Sequence, residues 1–349
     1  MAEFTPMTDR KAGLITYRQW QQLKLPADQR RVLSGVQPTA KLHIGNYFGA
    51  MKQQLEAQNE NAERFIFIAD YHSMTSVTDA DVRRARTLDV ALDYLALGLD
   101  PAKTVFFRQS DITEVHELAW MLASVTNTGL LDKAHSFKDK VAKGIESSVG
   151  LYTYPILMAA DILIYRSNWV PVGEDQVQHL EMTRDMAGKF NRLYGEVFPL
   201  PQAMLVEAGA KVPGTDGQKM SKSYGNTIDI FAEGNALKKA VMGIVTDSKP
   251  LEDPKDPETS TIFELYSLFA TDVEKAELAA KYRAGGMGYG TAKKMLLEKI
   301  EQLFGPARAK RKDLEKNRDY VEQVLRQGAA TARIQSAATM KIARTAAGF

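Results

Sequence analysis

Short apolar runs alternate with longer periodic segments up to about residue 207, and this alternation restricts the possible folds more than any other feature of the chain. The runs at 31–35, 65–70, 104–109, 169–172 and 203–207 have the length of strands. Helical patterns lie between them, at 46–60, 79–99, 112–126, 154–165 and 176–193. In the 79–99 stretch Val82, Ala85, Leu88, Leu92 and Leu95 recur at steps of three and four, a stripe expected to face a sheet. Strands and helices in this order wind a parallel sheet with helices on its faces. Ligands of such sheets bind beyond the carboxyl ends of the strands, where the strand order reverses.

Two strings about 175 residues apart bring the chemistry. His43-Ile44-Gly45-Asn46 follows the apolar pair Val32-Leu33 and a Pro/Gly segment, and opens a helical stretch. Lys219-Met220-Ser221-Lys222-Ser223 lies in a glycine-rich loop. A strand, a glycine turn and a helix N-terminus make an anion site, because unpaired backbone N–H groups point outward there. His43 and Asn46 add side-chain donors, and a loop with two lysines can close over further phosphates. Each string alone reads as chance or as a solvated turn. Together, in this order and with these flanks, they describe a clamp for ATP in which a phosphorus is attacked.

Composition narrows the classes. A chain of 349 residues predicts two domains. With no cysteine, disulfides, thiolate metal sites and a cysteine nucleophile are excluded. The five histidines are too scattered to suggest a protein-held metal. No apolar run approaches the roughly 18–20 residues that span a bilayer, and residues 1–29 lack a signal-peptide core, so a cytoplasmic protein without membrane partners is expected. Net charge is only +2, yet residues 291–349 hold 13 Lys/Arg against 6 Asp/Glu. A basic helical end on a mildly acidic body predicts an anionic partner there, with a solvated helix face as the plain alternative.

The run Ser34-Gly35-Val36-Gln37-Pro38-Thr39-Ala40-Lys41-Leu42-His43-Ile44-Gly45-Asn46-Tyr47 resembles the ATP-binding signature of class I aminoacyl-tRNA synthetases, and Lys219 to Ser223 resembles that class's second signature without substitution. Tyr154-Pro155-Ile156-Leu157-Met158-Ala159-Ala160-Asp161 and Gly173-Glu174-Asp175-Gln176 are similar to marks of the bacterial-type tryptophanyl-tRNA synthetase family. The resemblance is dense from about residue 31 to 225 and looser beyond. It implies activation of L-tryptophan by ATP with Mg2+, giving an adenylate and pyrophosphate, then transfer to the 3′ end of tRNA(Trp) by a homodimer. It further implies an α/β architecture: a Rossmann-type parallel-sheet catalytic domain at 31–225 with an insertion at about 127–150, after an N-terminal extension at 1–30. An all-helical anticodon-binding domain at 226–349 follows, its helices at 261–270, 291–304 and 313–327 broken by Gly285-Gly286 and Gly305-Pro306.

Residue roles follow from the same resemblance. Gln37, Pro38 and Thr39 match the turn that holds ATP, and His43 and Asn46 the donors that meet its phosphates. Gly45 matches the position where adenine lies against bare backbone, although a turn with positive φ is equally compatible with a glycine. Lys219 and Lys222 would neutralise the departing pyrophosphate, helped by Lys140 on the insertion. Ser221 and Ser223 belong to the same loop, and Met220 and Val212 would line the adenine. The segment Gly173-Glu174-Asp175-Gln176 matches an ATP-binding stretch whose carboxylates would accept ribose hydroxyls, or simply cap a helix. Asp161 sits among apolar neighbours, where an ionised carboxylate is costly unless something donates to it. Tyr154, Met158 and Asp161 share a helix face, so Asp161 suits an indole N–H with Met158 and Tyr154 against the ring. His72, Leu33 and Gln176 complete the expected pocket. His179 is expected to orient Asp175 or to pack. The rival readings are a tyrosyl-tRNA synthetase, a small-molecule nucleotidylyltransferase and a tRNA-independent paralogue.

Overall fold

The computed structural model describes residues 14–26, 29–38, 41–134, 148–205 and 212–349. Its centre is a six-stranded sheet, all parallel: β1 (Ile15–Thr16), β2 (Val32–Val36), β3 (Arg64–Ile68), β4 (Val105–Arg108), β5 (Trp169–Val172) and β6 (Gln202–Leu205), in the spatial order β1-β6-β5-β2-β3-β4. The five expected strands are present within one to two residues at most ends. The sixth, β1, is a two-residue edge pairing Ile15 with Met204 and Thr16 with Leu205. It lies inside the stretch read as an N-terminal extension, too short to show as an apolar run.

Alternation along the strands divides the core in two. Phe65 and Phe67 of β3 and Phe107 of β4 face helices Glu114–Val125, Val149–Ile164 and Val177–Tyr194. Ile66, Ile68 and Phe106 face helix Ala80–Ala96 and the C-terminal helices. The expected stripe on Ala80–Ala96 holds only in part. Leu92 and Leu95 are buried, but Val82 and Ala85 are exposed. The second half is buried on nearly every side because helix Tyr289–Lys316 covers the face turned away from the sheet.

After β6 the described chain forms only helices, turns and two isolated bridges. One expected break is absent: helix Tyr289–Lys316 runs straight through Gly305-Pro306. Phe304, 1 % exposed, meets Tyr47 edge-on with centroids 5.0 Å apart, and such packing outweighs the proline's lost hydrogen bond. The break falls instead at Asn317, which caps helix Arg318–Ala347. That last helix returns to the sheet and covers the edge strand β4, as exposed sheet edges require. Arg108 of β4 forks onto Glu322 at 2.7 and 3.0 Å, and Arg344 pairs with Glu117. A Cβ added to Gly328 would stand 1.9 Å from the Phe106 carbonyl oxygen.

The basic end is spent largely on the protein itself. Lys293, Lys299, Arg308, Arg311, Lys312, Arg326, Arg333 and Arg344 bond to carboxylates or carbonyls of the chain. Lys294, Lys310, Lys316, Arg318 and Lys341 remain as exposed cations, a smaller face for an anionic partner than the raw charge count suggests.

Gly328→Ala is expected to lower unfolding free energy by about 1–3 kcal/mol through overpacking. Gly290→Ala, in a helix where an added Cβ meets nothing within 4 Å, should be neutral or stabilising. Urea unfolding of both variants checks the pair, and equal effects would contradict the close helix–strand contact.

Candidate active site

From β2 the chain winds one way through β3 and β4, and later the other way through β5 and β6. The reversal lies between β2 and β5, whose recorded pairing joins Val32 to Trp169 at their amino ends. Their carboxyl ends are free to flank a crevice, where the fold rule puts a ligand. Gln37 and Pro38 follow β2, the Asp70–Ser73 turn follows β3, Gln109 follows β4, and Gly173 with the short turn Glu174–Gln176 follows β5. Thr39 and Lys140 lie outside the described residues, as does the side chain of Asp175.

The two signatures meet. His43 precedes helix Ile44–Asn46 with extended backbone, and its N–H donates to Asn46 Oδ1 at 3.1 Å. The Gly45 N–H donates to the Met220 sulfur at 3.3 Å, a weak acceptor. A Cβ on Gly45 would stand 3.0 Å from His43 Nδ1 and 3.4 Å from Met220 Cβ. Gly45 is not among the positive-φ glycines, so close approach, not turn geometry, explains the residue. Residues 42–44 pair with 228–230: Ile44 N–H donates to the Ile228 carbonyl at 3.0 Å and Ile230 N–H to the Leu42 carbonyl at 3.1 Å.

Asn226 holds the lysine loop in shape. It is 3 % exposed; its Oδ1 accepts from Ser221 N–H at 2.8 Å, and its Nδ2 donates to Asp216 at 2.7 Å and to the Lys219 carbonyl at 3.1 Å. Gly214 is obligatory beside it, since a Cβ would fall 2.2 Å from Asn226 Nδ2. Met220 N–H bonds the Val212 carbonyl at 2.9 Å, and the Ser221 and Ser223 hydroxyls lie 2.8 Å apart. Lys219 and Lys222 are thereby held on the exposed side of the loop. Partial desolvation of its ammonium and the nearby Arg86 cation pull Lys222 below the ordinary lysine range. Burial and Lys222 together hold His43 at a pKa of about 4, so its ring is neutral at pH 7.

A second cluster surrounds Asp161, 1 % exposed on helix Val149–Ile164. His72 Nε2–H donates to its Oδ2 at 2.9 Å, and Gln109 Nε2–H reaches both carboxylate oxygens at 2.8 and 3.0 Å. Burial pushes the Asp161 carboxyl up from its ordinary range, opposed by these two donors. Gln109 Oε1 accepts from the N–H groups of Tyr71 and His72 at 3.1 and 3.4 Å. The one amide therefore fixes both the histidine's backbone and the carboxylate it serves. A carboxylate has about four lone-pair positions, so Asp161 retains capacity for one further donor. Met158 and Tyr154, half-buried on its helix face, stand beside it. The Tyr154 hydroxyl bonds His179 Nε2, and the Tyr154 and His72 rings lie edge to face at 6.4 Å.

Leu33 is wholly in the core of β2, and Gln176 is half-buried in the turn after β5. Sequence reasoning missed Gln109 and Asn226. Gln109 was findable, as a polar residue just past the carboxyl end of a strand. Asn226 carried no signal beyond its place after the loop. Among the described residues no cluster of His, Asp or Glu is arranged to hold a metal, and no helix is long and apolar enough to cross a membrane.

Residues 26–305 match the family model described as tRNA synthetases class I (W and Y). The chain is 54% identical over 319 residues to a tryptophan–tRNA ligase of Rhodopirellula baltica, covering 91% of this chain and 99% of that protein. It is 55% identical over 321 residues to one of Fusobacterium nucleatum, covering 92% and 98%. In structure it is similar to the Campylobacter jejuni tryptophanyl-tRNA synthetase complexed with ADP and tryptophan, with TM-score 0.88, 48% identity, and coverage of 91% of this chain and 100% of that one.

His43 gives a pH signature with a definite sign. Its pKa in the folded chain, about 4, lies below the ordinary 6.5, so the unfolded chain binds the extra proton between those values. The stability from burying a neutral ring is complete above pH 6.5 and is lost as pH falls toward 4. Denaturant unfolding between about pH 4 and 7 should show a shallower slope for His43→Gln than for the unsubstituted chain. Parallel profiles would mean that the ring protonates freely in the folded state.

Proposed function

Because the chain belongs to the tryptophan members of the class I tRNA synthetases, we propose that the crevice after β2, β3, β4 and β5 is where tryptophan and ATP meet. The protein is a ligase that activates L-tryptophan with ATP to tryptophanyl-adenylate and pyrophosphate, then transfers the amino acid to the 3′ end of tRNA(Trp). The observation that carries the residue assignment is the contact of the two signatures, through Gly45 and Met220, in a sheet whose neighbouring strand ends bear the Asp161–His72–Gln109 cluster.

In the first step tryptophan's carboxylate oxygen attacks the α-phosphorus, and the bond to the bridging oxygen breaks as pyrophosphate leaves. No protein nucleophile is needed, so the residues act by positioning and by matching charge that develops in the transition state. Lys219 and Lys222 meet the charge gathering on pyrophosphate. His43, neutral, donates to phosphate oxygens rather than competing with the lysines as a cation. Mg2+ arrives on the ATP phosphates as part of that substrate. Asp161 takes the indole N–H with its remaining lone pair, and Met158 and Tyr154 bracket the ring. In the second step a ribose hydroxyl of the tRNA end replaces AMP on the acyl carbon.

Trp120 and Val149, 75 % and 79 % exposed on neighbouring helices, offer an apolar face suited to a second copy of the chain, in keeping with a homodimer. A protein that charges tRNA for translation belongs in the cytoplasm.

Pyrophosphate exchange with tryptophan and tyrosine side by side tests the pocket. Asp161→Asn should raise KM for tryptophan at least tenfold with KM for ATP little changed, whereas Lys222→Ala should lower kcat by about 10²–10³. Equal losses for both substrates in Asp161→Asn would make that residue structural only.

A further inference from the structure

At the amino ends of the strands, opposite the crevice, four buried N–H groups find no acceptor among the described residues: Trp20 Nε1, Arg30 Nε, and Arg64 Nε and Nη2. They gather about one indole, with the Arg30 and Arg64 guanidinium carbons 4.4 and 5.5 Å from the Trp20 ring centroid. Arg64 opens β3 and is 5 % exposed. Neither arginine forms an ion pair among the described residues, and Glu60, the nearby carboxylate, accepts from Gln21 at 2.7 Å. Of the three residues Trp20, Arg30 and Arg64, Arg64 alone lines a cavity between the sheet, helix Tyr17–Gln22 and helix Lys52–Ala57, with Trp20 and Arg30 packed behind it. Tyr17, Ser34, Gln53 and Gln54 bring hydroxyl and amide groups to its wall, which is otherwise apolar, with Ile66 and Met204. Burial draws the Arg64 guanidinium below its ordinary range and pushes the Tyr17 hydroxyl above its own.

We propose that this cavity is a binding site for a small monovalent inorganic anion of the halide class, with Arg64 as its principal partner. A buried guanidinium whose Nε and Nη2 meet no acceptor is costly, and surplus donors call for a ligand that only accepts. The apolar wall selects against phosphate and other multiply charged oxyanions, because the cost of stripping their water rises steeply with charge. A halide sheds its hydration more readily and places no demand on donor geometry. Bound there, it would tie the Tyr17–Gln22 helix, and with it the two-residue strand β1, to β3 and to the helix that continues the first signature. The site is therefore structural, remote from the phosphate grip.

The test uses the whole protein. Crystals soaked in sodium bromide should show an anomalous peak beside the Arg64 guanidinium, absent in Arg64→Met. The thermal midpoint should rise with the logarithm of chloride concentration, measured against sodium gluconate at equal ionic strength. That rise should vanish in Arg64→Met and weaken in Arg30→Met. Should Arg64→Met fail to fold, the soak of the unsubstituted protein and the Arg30→Met titration decide the matter. Solvent density without anomalous signal beside Arg64, or equal midpoints in chloride and gluconate, would overturn the proposal.

Discussion

The pairing of residues 42–44 with 228–230 turns two distant strings into one site. The first signature leaves the sheet after β2, and the second comes after β6 and just before residues 228–230. Backbone hydrogen bonds between their flanks hold Gly45 near Met220. From the far side, Arg308 of helix Tyr289–Lys316 reaches the same segment. It is 2 % exposed and donates through Nε to the Ile230 carbonyl at 2.8 Å. Arg311, one turn on, bonds Asp93 and Asp89 at 2.6 and 2.7 Å and lies over Phe231. Helices that read from sequence as a separate body are in this way fastened to the strip that pairs with the first signature.

Burial acts in opposite senses on the site's two central ionisable groups. His43 is denied a proton by burial and by Lys222, which leaves the positive charge there on the lysines. Burial also raises Asp161, yet two fixed donors oppose protonation. Neutralising a group and solvating it with preplaced dipoles are the two means of tolerating a titratable side chain inside a protein. His43 follows the first and Asp161 the second. Gln109 can serve as the pivot because its carbonyl is committed to backbone N–H groups, which leaves the amide nitrogen facing the carboxylate.

Legibility in the sequence followed the range of the forces involved. The strands β2 to β6 were readable because each is a short apolar run bounded by turn residues. The helix face of Tyr154, Met158 and Asp161 was readable because helical spacing is local geometry. The half-stripe on Ala80–Ala96 and the unbroken Tyr289–Lys316 helix were not, since each was decided by a partner far along the chain. His179 shows the same limit, for its hydroxyl partner Tyr154 lies 25 residues away.

Composition, periodicity and two signatures determined by themselves that this chain winds a parallel sheet, grips a triphosphate and hides a carboxylate among apolar residues. Those are properties of residue type and near-neighbour spacing, which backbone geometry converts directly into structure. Only the tertiary fold decided that Gln109 and His72 hold that carboxylate, that Asn226 sets the lysine loop and that the last helix seals β4. Each depends on groups 5 to more than 200 residues apart, and a hydrogen bond or a close backbone approach leaves no periodic trace in the sequence.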